Sequence, residues 1–155
     1  MRFSEQDGVV YGLKPGDHQA GADADSVKLD KYGHATWFLQ CAALTGDAVL
    51  KLFSGASDGT KTTAETFNYR LADADQGAAG ADGYGAWATS AALTLTAATY
   101  DNRVLIVEMD AAKLTQGQPF ATLEISAAAS AFNASVLIVL SEPRYSSHDM
   151  PAAIP

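Results

Sequence analysis

Acid–base and metal chemistry most often start from histidine, and the chain carries His18, His34 and His148, scattered and with no second ligand at metal-binding spacing. Each reads as a surface or structural residue. The only cysteine, Cys41, lies in an apolar, strand-like run. It can form no disulfide within the chain and anchor no cysteine-based metal site, and it reads as a small buried hydrophobe. Serines and aspartates are plentiful, but no Gly-x-Ser-x-Gly elbow, glycine-rich phosphate loop or His-Glu-x-x-His is present, and no triad order emerges. No catalytic residue is assigned.

Oxygen-rich loops with glycine can wrap calcium, which draws attention to Asp23-Ala24-Asp25, Asp73-Ala74-Asp75 and Asp82. Counted from Asp73, the twelve-residue calcium loop fails. Gly77 takes the fifth, ligand position, Ala78 the invariant-glycine position and Tyr84 the place of the closing glutamate. Gly80-Ala81-Asp82-Gly83 does not repeat, so the acids read as a solvated loop, with no metal site and no cofactor expected. Tyr84, Trp87 and Tyr100 lie near loops and could stack on sugars, although core packing explains them more simply.

The elements that would position these residues belong to one domain of 155 residues, with 48% hydrophobic and 18% charged residues. Ten Lys and Arg against 18 Asp and Glu give a net charge of −8. That balance repels phosphate backbones and argues against a nucleic-acid partner. The opening Met1 to Asp7 shows no apolar run of signal-peptide length, and Val136 to Leu140 is far too short to span a membrane. The expectation is a protein made in a cytoplasm, without a membrane partner.

Residues 1–25 are rich in Gly, Asp and Ala, show neither strand nor helix periodicity, and read as an extended N-terminal arm. From Ser26 short strand-like segments follow: Val27 to Asp30, His34 to Cys41, Ala48 to Phe53, Trp87 to Ser90, Leu93 to Thr96, Arg103 to Met109, Phe120 to Ser126 and Ser135 to Ser141. In Ala48 to Phe53 the alternation is partial, with apolar residues on both faces. Thr62 to Leu71 fits both periods, and its threonines and aromatics favour a strand. Residues 72–83 read as a mobile surface loop, and Asp110 to Leu114 as a single helical turn capped by Asp110. The pattern predicts an all-β fold, an antiparallel β-sandwich or jelly roll of about eight strands over residues 26–145, with a C-terminal tail over 146–155.

Three stretches together resemble proteins encoded beside a phage major capsid protein. They are Asp25 to Leu39 (DSVKLDKYGHATWFL), Gly59 to Leu71 (GTKTTAETFNYRL), and Tyr100 to Asp110 continuing through Leu114 and Phe120 to Val136–Tyr145. The resemblance covers most of the chain from about Ser4 to Tyr145. It implies a bacteriophage capsid decoration, or cement, protein of jelly-roll type, a homotrimer on the outside of the virion shell with the major capsid protein as partner. The family supplies no catalytic residue. The apolar residues of the arm, Phe3, Val9, Val10, Tyr11 and Leu13, are the expected contacts with the capsid or a neighbouring subunit. Two other readings suit the same scaffold: a carbohydrate- or receptor-binding module, and a tail-tube or head-to-tail joining protein.

Overall fold

A computed structural model describes residues 7–79 and 83–144. Phe3, Gly80 to Asp82, Tyr145 and His148 therefore lie outside the described residues. Two antiparallel sheets pack face to face, so the sandwich expected from the sequence is the fold.

The described residues form twelve strands, several of them only two or three residues long, which is why a count by sequence texture gives fewer. The front sheet has the order β1 (Gly8–Asp17), β12 (Phe132–Pro143), β4 (Tyr32–Leu44), β10 (Val104–Asp110), β7 (Phe67–Leu71), β8 (Ala88–Ser90). The back sheet runs β2 (Ala22–Asp23), β11 (Phe120–Ile125), β5 (Ala48–Gly55), β6 (Thr63–Glu65), with β3 (Val27–Lys28) also pairing β11 and β9 (Leu93–Leu95) also pairing β5.

Alternation decides which side chains reach the core. On β4, Ala35, Trp37, Leu39 and Cys41 are buried while Thr36, Phe38 and Gln40 face outward. On β5 the mixed pattern resolves cleanly: Ala48, Leu50 and Leu52 turn inward, and Val49, Lys51 and Phe53 form a half-buried outer face. The two inner faces meet in one cluster, with Trp37, Leu105, Met109 and Ile138 from the front and Leu52, Leu95, Leu123 and Ile125 from the back. Each such side chain contributes about 1.5–3 kcal/mol by leaving water.

Thr62 to Leu71 is not one strand. Thr63–Glu65 pairs with β5 in the back sheet, Phe67–Leu71 pairs with β10 in the front, and the chain crosses between sheets at Thr66. Both halves alternate, so local pattern alone could not reveal the change of sheet. The stretch expected as an arm contributes β1, which pairs along β12 with register shifts between Tyr11 and Leu13 and between Leu13 and Gly16. Those shifts erase the period of two from its sequence.

Around Asp110 the expected turn is a short 3-10 segment, Ala111–Lys113, but Asp110 does not cap it with its side chain. Its carboxylate goes to His34 and Lys113 instead. A further helical turn, α1 (Ala97–Tyr100), was not apparent from the sequence and carries Tyr100 into the core. The described residues of the acidic loop are mostly exposed yet tied down. Asp73 N–H donates to the Gly83 carbonyl at 3.0 Å and Gln76 N–H to that of Asn102 at 2.7 Å, and Arg103 meets Asp75 at 3.3 Å. Backbone bonds do there what large side chains do elsewhere. Among the described residues no helix is long and apolar enough to cross a membrane.

Candidate functional site

Side chains that could carry acid–base chemistry are dispersed. His34 Nδ1 lies 2.8 Å from Asp110 Oδ1, and its Nε2 is 3.7 Å from Glu108 Oε2. Hydrogen bonds from His34 and then Lys113 hold the Asp110 carboxyl below the usual range. Among the described residues no group of three or more His, Cys, Asp or Glu is placed to hold a metal ion. Asp23 and Asp75, weighed above as calcium ligands, are instead paired with Lys61 and Arg103. Cys41 is buried, and its thiol is pushed up to about 12 by that burial and by the nearby Asp101.

Glu65 sits in a small knot at one end of the sandwich. It accepts hydrogen bonds from the Ser54 hydroxyl, from Thr115 N–H at 2.9 Å and from the Thr115 hydroxyl at 2.7 Å. Burial works to raise its pKa, but these bonds outweigh burial and leave it below the usual value. The arrangement ties β5, β6 and the loop before β11 together.

The expected contact residues divide by alternation. Val10 is buried in the core and Leu13 packs against it, whereas Val9 and Tyr11 stand out from β1, 48% and 66% exposed. Phe3 lies outside the described residues. Gly12 turns inward with Val10, where a Cβ would come within 2.9 Å of Ile138 Cγ1. Of the three aromatics considered for stacking on sugars, Tyr100 is buried at 8% exposure and is unavailable, while Trp87 is 47% exposed.

What the structure brings together is a row that no local sequence signal revealed. On the outer face of the front sheet Tyr11 lies opposite Leu137, Leu137 opposite Phe38, Phe38 opposite Ile106, and Ile106 opposite Arg70. The β7–β8 register carries the row on to Trp87, whose ring lies 4.7 Å from the Arg70 guanidinium carbon. Tyr84 lies against the same guanidinium at 4.9 Å. Cross-strand neighbours are about 4.8 Å apart, so the row runs about 24 Å across the sheet. Six strands, β2 to β7, separate Tyr11 from Trp87 in the chain, which hides the row until the pairings are known.

One pleat along, Val9, Val139, Thr36, Glu108, Asn68 and Thr89 form a parallel row that passes from apolar to polar. Ile106 is 5% exposed although it faces away from the central cluster. Arg70 forms no ion pair with a described residue, and its Nε is buried without a hydrogen-bond partner. Such an arrangement can bind by packing and by offering a guanidinium fork.

Compared with known proteins, the chain matches no family model, no curated protein and no solved structure.

Proposed function

We propose that the chain is a structural protein of a bacteriophage virion that seats on the outside of the capsid shell and stabilises it as a cement or decoration protein, working as a homotrimer with the major capsid protein as its partner. The observation that carries the proposal is the outer face of the front sheet, where Tyr11, Leu137 and Trp87 are each at least 39% exposed in one apolar row. A broad apolar strip on a rigid sheet suits a protein that works by adhesion, and modest burial per copy suffices when several copies bind together. The likeness of the chain's texture to proteins encoded beside phage capsid proteins points the same way.

The test is solution mass by light scattering, followed by binding to undecorated capsids. A trimer that loads shells at a fixed copy number supports the proposal. A monomer that ignores shells moves the function to a receptor- or carbohydrate-binding module, for which exposed Trp87, which with Tyr84 lies on the Arg70 guanidinium, is the favouring observation. A ring of higher order moves it to a tail-tube or head-to-tail joining protein.

A further inference from the structure

We infer that the row Tyr11–Leu137–Phe38–Ile106–Arg70–Trp87 is a docking strip for a segment of another polypeptide that brings a carboxylate to Arg70 and apolar side chains to the rest. The inference rests on the reading of the chain as a shell-binding protein, and it names what the shell supplies to this face.

Charge complementarity picks the partner. The chain has 18 acidic residues against 10 basic ones. Lys28, Lys61, Arg103 and Lys113 each meet a carboxylate within 3.3 Å. Among the described residues Lys14, Lys31, Lys51, Arg70 and Arg144 meet none, and of these Arg70 is set apart by the rings of Tyr84 and Trp87, which lie within 4.9 Å of its guanidinium carbon. Aromatic packing orders the guanidinium, and with Nε buried the two Nη groups are the donors left for an incoming carboxylate. The surplus of negative charge on the chain disfavours the phosphates of nucleic acid as the occupant.

Area picks a segment over a globular face. About 24 Å of length and three residues of width, about 10 Å, give about 240 Å². A stable dimer needs about 800 Å² from each partner. Two copies placed face to face would also add −8 to −8. An extended chain at about 3.4 Å per residue covers the strip in about seven residues.

The probe is a blocked heptapeptide with one terminal Glu and three Leu separated by Ser, made with Glu at either end, and compared with the same peptides carrying Gln. Binding is followed by Trp fluorescence and by the Arg70 Nε–H signal in NMR. Saturable binding of at least one Glu peptide, about tenfold weaker binding of its Gln analogue, and no difference between the two in Arg70→Gln would support the inference. Equal binding of the Glu and Gln peptides, or no binding of either, would overturn it. Concentration-dependent dimerisation lost in Arg70→Gln and Leu137→Ser would overturn it in favour of a second copy as occupant. Peptide selectivity without any binding to capsids sinks the shell reading alone. Undiminished capsid binding by Arg70→Gln and Leu137→Ser, with no peptide selectivity, sinks this inference alone.

Discussion

The outer faces of the two sheets carry similar apolar side chains and treat them in opposite ways. On the back sheet, Phe53 lies under the Lys61 ammonium at 5.9 Å and Phe120 under that of Lys28 at 5.7 Å. Those lysines are in turn held by Asp23 and Glu124, and by Asp30. Thr122, between them, shares a hydrogen bond with Ser26. Long amphipathic side chains thus cover the aromatics, and every charge in the cover has a partner within the chain. On the front sheet, Tyr11, Leu137 and Phe38 have no such lysine cover among the described residues, and the cation in their row, Arg70, lies on aromatic rings. One face is covered by side chains of the chain itself, and the other keeps Tyr11, Leu137 and Trp87 exposed.

The largest expected effects ignore this difference, because the inner faces of both sheets belong to one core. Leu39→Ala in the front sheet and Leu52→Ala in the back each empty a site with 0% exposure, and each should cost about 3 kcal/mol in urea unfolding. A loss in one sheet less than half that in the other would show that the sheets are not equal partners, and would weaken any contrast drawn from their outer faces alone.

Next is the Glu65 knot at the end of the sandwich. Glu65→Gln weakens acceptance from Ser54 and Thr115 and should cost about 1.5 kcal/mol near neutral pH, the low end of the range for hydrogen bonds to a charged group because the Gln oxygen still accepts. Because the folded carboxyl titrates below its usual 4.5, its contribution is present above that value and disappears as pH falls through the lower, folded one. Urea titrations of both proteins from pH 7 down to pH 3 should therefore converge at the acid end. A constant gap across that range would mean that the knot acts by packing and not by charge.

These comparisons depend on features that the sequence disclosed unevenly. The sandwich was legible because segments rich in aromatic and branched residues recur with turn residues between them, as in His34 to Cys41, Ala48 to Phe53 and Ser135 to Ser141. β1 was hidden by its two register shifts, and the change of sheet at Thr66 by alternation that continues on both sides of it. Val9 and Tyr11 were picked out as apolar residues without a helical or strand period, and the structure puts them on the outer row while turning Val10 into the core. The rest of the row could not be read at all, since Leu137, Phe38, Ile106 and Arg70 become neighbours only through pairings between distant strands. Arg70 in particular carries no local mark that separates it from a solvated charge.

The cover on the back sheet should be worth less than its drawing suggests. Lys61 holds Asp23 and Glu124 with side chains between 24% and 46% exposed, so solvent and salt screen the attraction. Lys61→Met should cost about 1 kcal/mol at low salt and less than half of that in 1 M NaCl, since it removes the charge but keeps much of the apolar stem over Phe53. A cost unchanged by salt would assign the effect of Lys61 to packing.

The smallest effect on stability belongs to the open face, and it is the most informative of the series. Leu137→Ser and Tyr11→Ser remove side chains that are already 39% and 66% exposed, so each should stay within about 0.5 kcal/mol of the parent in urea unfolding. Both should nevertheless lower the binding of a hydrophobic dye such as ANS, because each removes one member of the exposed cross-strand pair Tyr11–Leu137. Replacing Phe53 with Ser on the back sheet should leave dye binding nearly unchanged, since Lys61 already lies over that ring. Equal loss of dye binding from the two faces would show that both are open. A loss confined to Leu137 and Tyr11, at almost no cost in stability, is what side chains kept for a partner should give: they contribute little to the isolated fold because their burial is completed only in the complex.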